Sequence, residues 1–375
     1  MPRLRAIALL LLLLTAAPTP ASWTEAELQR ILEVRLGEYQ HTIGMVIAYW
    51  DGEQAVVAGH GVYGKSDPRV PDGDTLFEIG SVTKVFTASL LSEMVRNGEV
   101  ALKDPAQKYM PEGVKLPEKS GRPITLLQLA THDAGLPKMP DNIESDDWRN
   151  PYANYTLEEM YEFLEQVKLG RNQEANSISL TLGPANFAVY SNLGLGLLGE
   201  ALANQAGVSY GPLIQQRVTG PLGMADTVIE MNAGQSARLA TGHNWGAYPE
   251  PPLEMPTMQG AVALRSTAND LILFLRANLA SQKASPLPAL QDTHKPYKTT
   301  NSGIAGKIGL GWLIRTSDAR RIHWHNGTTK GHRAFIGFCN KTGEAAVVLT
   351  NSMQDLDGLG LGLLEPGIRL RRLLR

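Results

Sequence analysis

The sequence predicts an α+β chain: an α/β sandwich whose antiparallel sheet is built from both chain ends and flanked by helices, beside an all-helical insertion. Three observations carry this. Gly44 to Trp50 and Gln54 to Ala58 flank Asp51-Gly52, and Asp-Gly between β-prone runs signals a hairpin. A matching pair, Arg333 to Cys339 and Ala345 to Thr350, flanks the Asn340-Lys341-Thr342-Gly343 turn near the other end. Between them the apolar residues recur at helical spacing.

The first helix is announced by Thr24 and Glu27, a capping box ahead of Leu28, Ile31, Leu32, Val34 and Leu36. Val82 to Arg96 is apolar almost all round and stops at Asn97-Gly98, which reads as a buried helix. Thr125 caps Leu126 to Thr131, and Thr156 with Glu159 boxes Leu157 to Val167. Helical texture continues over Leu193 to Ala206, Pro212 to Val218 and Thr267 to Leu279, while 245–260 and 282–305 are Pro- and Gly-rich surface loops. This gives a sheet domain over 22–80 and 295–375 and a mainly helical domain over 81–294.

Arg3 and Arg5 precede an apolar run from Ala6, and a small-residue stretch follows up to Ala21. That order reads as a signal peptide over 1–21, so the expected location is the periplasm or the medium. The 12 residues from Ala6 to Ala17 fall short of the ~20 that cross a bilayer. Loss of two arginines takes the formal charge from −2 to −4.

Composition excludes several classes. With 43% hydrophobic residues in 375, global disorder is out. Lys+Arg 35 against Asp+Glu 37 leaves no basic field for nucleic acid. The lone Cys339 rules out an intrachain disulfide and any multi-cysteine metal site. The basic Arg369–Arg375 end reads as charge near a helix C-terminus rather than as a membrane contact.

Three constellations bear on chemistry. In Ser81-Val82-Thr83-Lys84, one helical turn brings Lys84 to Ser81, and a lysine inside an apolar helix needs a partner or a task. Lowered in pKa by burial, Lys84 can take or relay the proton of a Ser81 nucleophile. Gly80 permits a tight entry and close approach by substrate. In Tyr190-Ser191-Asn192, a tyrosine beside a lysine is a candidate base, and Asn192 offers both a donor and an acceptor to a substrate amide. Tyr152-Ala153-Asn154 repeats that spacing, but in a polar turn ahead of Thr156, so Tyr190 is preferred. In His323-Trp324-His325-Asn326-Gly327-Thr328-Thr329, the two histidines share a strand face. They could bind a metal with His332, or line a substrate strand on which Gly327 admits the ligand and the Thr328 N–H completes an oxyanion hole. The metal reading lacks a nearby carboxylate and any H-E-x-x-H motif, so no cofactor is expected.

In this order, Ser-x-x-Lys at 81–84, Tyr-Ser-Asn at 190–192 and His-Asn-Gly at 325–327 resemble the three motifs of class C β-lactamases, penicillin-binding DD-peptidases and related serine esterases. The stretches 126–137 and 260–267 look like that family too, and the resemblance runs from about residue 25 to 365. It implies a β-lactamase/transpeptidase-like fold and a Ser81 acyl-enzyme, with Lys84 and Tyr190 sharing the proton. Asn192 would hold the substrate's side-chain amide, the Ser81 and Thr328 N–H groups would form the oxyanion hole, and Asn351 would stand near the substrate carboxylate. The implied reaction is hydrolysis of β-lactams or D-Ala-D-Ala-type peptides by an exported enzyme meeting a small or peptidoglycan-derived substrate. The alternatives are ester hydrolysis on the same machinery and a penicillin-binding receptor without turnover. One departure stands out: the β-lactamases and peptidases usually carry Lys-Thr-Gly where this chain has His325-Asn326-Gly327. A histidine at 325 with an ordinary pKa near 6.5 would supply a cation only at the acid end of the working range.

Overall fold

The computed structural model describes residues 23–38, 41–118, 121–169, 190–281, 283–300, 305–317 and 320–365. The expected signal peptide and the basic C-terminus lie outside the described residues.

In chain order the helices are α1 (Glu25–Glu38), α2 (Thr83–Arg96), α3 (Leu126–Ala130), α4 (Leu157–Gln166), α5 (Asn192–Ala206), α6 (Tyr210–Ile214), α7 (Ala233–Ser236), α8 (Gln259–Val262), α9 (Ala268–Leu279) and α10 (Asp357–Leu364). The strands are β1 (Gly44–Trp50), β2 (Ala55–Gly61), β3 (Phe77–Glu78), β4 (Gly242–His243), β5 (Pro249–Glu250), β6 (Arg265–Ser266), β7 (Lys298–Thr299), β8 (Lys307–Ile308), β9 (Leu313–Thr316), β10 (Arg321–Thr328), β11 (Arg333–Cys339) and β12 (Glu344–Thr350). The caps expected from sequence are in place: Thr125 with Gln128 and Thr156 with Glu159 form reciprocal capping boxes, and Thr24 bonds Glu27. The expected 212–218 helix instead starts at Tyr210 and widens into a π turn over Gln215–Thr219.

Both chain ends do meet in one sheet. Its eight strands run β2-β1-β12-β11-β10-β9-β8-β7, and every neighbouring pair is antiparallel. β1 and β12 are buried nearly throughout, because both sheet faces are covered. Met45, Ile47 and Tyr49 face a layer that includes α1 and α10, while Val46 and Ala48 face the helical body. That body reaches the sheet through α9, which lies across β1, β11 and β12. Part of the sheet's cover therefore comes from within 81–294.

A buried ion pair fastens the strand before Ser81 to the sheet. Glu78 on β3 accepts from the His332 ring at 3.3 Å, and the other His332 nitrogen meets the Ala240 carbonyl at 3.0 Å. Carboxylate and carbonyl oxygens only accept, so both contacts are satisfied together when each ring nitrogen carries a proton. Burial raises the Glu78 pKa, but the His332 hydrogen bond and charge outweigh it and bring it down to about 2.

Breaking such a pair leaves a buried charge unmatched, so Glu78→Gln should cost about 3–5 kcal/mol at neutral pH. The Glu78 contribution is fully present above the unfolded carboxyl pKa of about 4.3 and is lost as pH falls through about 2. Thermal melts from pH 7 to 2 should therefore show the wild-type advantage over Glu78→Gln shrinking towards acid. A gap that is constant with pH would contradict the pairing.

Candidate active site

The site forms where the start of α2, the start of α5, α8 and the end of β10 converge. Ser81 sits in a 3₁₀ turn (Gly80–Val82) that leads into α2, so Lys84 lies one turn on. Lys84 is fully buried, and its Nζ lies 2.8 Å from each of Ser81 Oγ, Asn192 Oδ1 and the Ala261 carbonyl oxygen. Burial, with the charge of Lys138 second, holds its pKa well below the usual lysine value. The Asn192 and Ala261 oxygens can only accept, whereas the Ser81 hydroxyl can also donate.

Each partner has its own local cause. Ser191 is the N-cap of α5: its Oγ accepts from the Gly194 N–H at 2.8 Å and donates to the Pro137 carbonyl at 2.6 Å. That fixes Asn192, whose Oδ1 is spent on Lys84 and whose amide N–H₂ meets, among the described residues, the Met139 thioether at 3.3 Å. Ala261 reaches Lys84 because α5 and α8 pack closely: a Cβ on Gly199 would lie 3.1 Å from the Gly260 Cα, and one on Gly196 2.6 Å from the Met258 Cα.

Tyr190 hydrogen-bonds Ser81, and its ring lies 4.8 Å from Lys84 Nζ. Burial raises its pKa, against the Ser81 bond, so it stays a protonated phenol. Tyr152 carries no such contact; it packs among apolar residues. His132, from the 126–137 stretch, was not singled out as a site residue. Its ring packs at a tilt against Tyr190, centroids 4.5 Å apart, and its Nδ1 accepts the Ser191 N–H at 3.2 Å. It does this from a left-handed backbone conformation, φ 58°, rare for a residue with a Cβ. The signal available in sequence was a histidine followed by Asp133-Ala134-Gly135 just after a capped helix.

The Thr328 N–H is free of the β11 ladder. Thr329 N–H bonds His332 O, so by alternation Thr328 and Arg333 form a non-hydrogen-bonded pair. The Thr328 amide therefore points at the opposite edge, where β9 has ended and Gly80–Ser81 packs instead. A Cβ on Gly327 would overlap the Ile79 carbonyl oxygen at 1.8 Å and sit 3.1 Å from Ser81 N; one on Gly80 (φ 48°) would lie 2.7 Å from Thr328 N. These two glycines let the Ser81 and Thr328 amides approach as two donors can for one oxyanion.

His325 departs from expectation. It faces the site, 6.4 Å from the Tyr190 ring, but it is buried and its Nδ1 donates to the Asn326 carbonyl at 2.6 Å. Burial, with the Lys84 charge second, lowers its pKa to about 3, so it is neutral at every working pH and presents an Nε2 lone pair. Asn351 departs too. It follows β12, two strands from β10, is fully buried, and its amide donates to the Val62 and Tyr63 carbonyls at 3.2 and 2.8 Å. It fastens β12 to the end of β2, with no surface left for a substrate carboxylate. His323 shares the His325 face as expected but stacks on Phe338 at 5.0 Å and meets the His294 carbonyl at 3.2 Å. With His332 spent on Glu78, the three histidines go to separate partners, and among the described residues no three His, Cys, Asp or Glu converge as metal ligands.

The Beta-lactamase family model matches residues 28–361. The D-alanyl-D-alanine-carboxypeptidase/endopeptidase AmpH of Escherichia coli (strain K12) is 30% identical over 280 residues, covering 72% of this chain and 69% of that protein. A beta-lactamase of Pseudomonas fluorescens is 25% identical over 351 residues, covering 84% and 90%. Among solved structures, a beta-lactamase/D-alanine carboxypeptidase from Yersinia pestis superposes with a TM-score of 0.74 at 24% identity over 93% of this chain and 99% of that one. A class C beta-lactamase from Rhodobacter sphaeroides gives 0.73 at 21% over 94% and 98%.

Two outcomes follow from this geometry. Gly327→Ala should abolish acylation and cost roughly 1–3 kcal/mol of stability by overpacking, measured by stopped-flow and thermal melts; a fully active variant would contradict the close approach. Because His325 is already neutral, the KM for carboxylate-bearing substrates should be flat from pH 6 to 8. A KM that rises through that range would show that His325 carries a titrating charge.

Proposed function

The chain belongs to the beta-lactamase family of serine hydrolases, and on that premise we propose that it is an exported acyl hydrolase that cleaves D-Ala-D-Ala-type peptides or β-lactam amides through a Ser81 acyl-enzyme. The observation that supports this best is the three-way coordination of Lys84 Nζ. In the neutral amine, the two oxygen acceptors take both N–H groups and leave the lone pair facing the Ser81 hydroxyl. Lys84 thus takes the Ser81 proton as Oγ bonds to the carbonyl carbon. The carbonyl oxygen becomes an anion between the Ser81 and Thr328 N–H groups. When the C–N bond breaks, the Tyr190 phenol protonates the leaving nitrogen and recovers a proton from Lys84. Water then attacks the ester carbon and gives its proton to the same pair, which passes it to Ser81 Oγ as the C–O bond breaks, releasing the acid product and restoring Ser81. The Asn192 N–H₂, which meets a weakly accepting thioether, is the donor for the substrate's side-chain amide.

A second reading has its own support. A neutral, buried His325 provides no cation for a carboxylate, which favours esters and other uncharged acyl groups on the same machinery.

Nitrocefin, an acyl-D-Ala-D-Ala peptide and p-nitrophenyl butyrate, assayed side by side, separate the readings. The proposal expects the highest kcat/KM on one of the amides; ester turnover alone would support the second reading. Ser81→Ala should lower turnover at least a thousandfold with the fold intact, and mass spectrometry with a slow penicillin should place the adduct on Ser81. Lys84→Ala and Tyr190→Phe should each slow acylation strongly, and the double variant should lose much less than the product of the two. Tyr152→Phe should be nearly silent.

A further inference from the structure

Four large hydrophobic side chains stand well out in solvent among the described residues: Val70, Trp148, Trp245 and Tyr248. The three aromatic ones belong to loops that meet at the end of the sheet bearing Thr328. Trp245 and Tyr248 ride the turn between β4 and β5, and that hairpin is pinned to the β10–β11 turn by the His243 N–H to the Gly331 carbonyl. The Trp148 loop joins it through Arg149 to the Pro249 carbonyl and Asn150 to the Pro252 carbonyl. Lys330, two residues past Thr328, bonds the Trp148 carbonyl and lies 5.7 Å from the ring centre. Arg333, opposite Thr328 in the ladder, lies 5.6 Å from the Trp245 ring, and Lys65 lies 5.9 Å from the Tyr248 ring. A non-hydrogen-bonded pair sets its Cα atoms about 4.5 Å apart, so the rim begins beside the oxyanion donors.

We propose that Trp148, Trp245 and Tyr248 form a saccharide-binding rim that grips the glycan strand to which a peptide substrate is attached. The inference rests on the peptide-amide reading of Ser81. Each ring has a cation against it, and the loops that carry the rings are bonded to one another, so the faces are set before a ligand arrives. Flat, pre-placed rings stack on the C–H face of a pyranose, and the neighbouring cations and amides meet its hydroxyl groups. A protein-binding hot spot would instead sit within an apolar surround, whereas Asp146, Asp147 and Asn244 interleave with these rings.

The test uses the full chain with Ser81→Ala, with and without Trp148→Ala, Trp245→Ala and Tyr248→Ala together. Binding is measured to purified peptidoglycan, to its glycan strands stripped of peptide, and to phosphatidylglycerol vesicles. The proposal expects the parent to sediment with both saccharide polymers and the aromatic triple variant to lose at least tenfold in affinity for each. With Ser81 restored, the triple variant should keep its turnover of a soluble peptide within twofold and lose at least tenfold on intact peptidoglycan. Equal binding of both proteins to stripped strands overturns the proposal. So does an equal loss on the soluble peptide, or a loss seen only in vesicle binding or self-association. Binding to stripped strands needs no turnover, so this result is independent of whether Ser81 cleaves peptides.

Discussion

A lysine amine taken wholly out of water is the constraint around which this structure is arranged. Burying an ammonium without partners costs many kcal/mol, and the usual escape is loss of the proton. Here both responses are present: three partners at 2.8 Å and a depressed pKa. The partners come from three separate segments, so the fold must hold the starts of α2 and α5 and the short α8 in mutual register. Small residues make that register possible. Gly196, Gly199 and Gly260 leave no side chain between α5 and α8, and Gly80 and Gly327 let β10 lie against the turn that carries Ser81.

The sheet contributes rigidity and one amide. Buried on both faces and closed by strands from both chain ends, it offers little freedom to β10, and ladder alternation aims the Thr328 N–H at the edge vacated by β9. The Glu78–His332 pair ties the β10–β11 turn to the strand before Gly80, while His132 holds the Tyr190 ring from the other side. The Ser81 and Thr328 amides, Lys84 and Tyr190 are therefore held in place without a ligand, the preorganisation that the proposed acyl transfer calls for. The neutral His325 sets limits on the same site: it offers an acceptor where a lysine would offer a charge.

Much of this was legible in the sequence because it is local. Asp51-Gly52 marks a hairpin through the conformations those residues tolerate, and Thr125/Gln128 and Thr156/Glu159 mark helix starts through side chains three residues apart. The spacing of Ser81 and Lys84 and the lone lysine in an apolar helix are local signals too. What escaped depends on distant parts of the chain. The ionisation of His325 is decided by burial beneath helices that its own strand does not encode, and the Asn351 amide by the carbonyls of Val62 and Tyr63. The Ala261 acceptor is a backbone oxygen, which no residue type announces. The attachment of α9 to the sheet cannot be read from its period, because any apolar helix face is blind to what covers it.

The claim on which the rest depends is that Lys84 is available as a neutral amine in the resting enzyme. Selective isotope labelling of lysine, with Lys84 assigned by comparison with Lys84→Met, allows its Nζ to be titrated directly by NMR in the free protein. The account predicts a single titration far below the 10.4 of an unperturbed lysine, with the site unaltered on either side of it. A Lys84 that titrates at or above 10.4 would contradict the account and leave Tyr190 as the base.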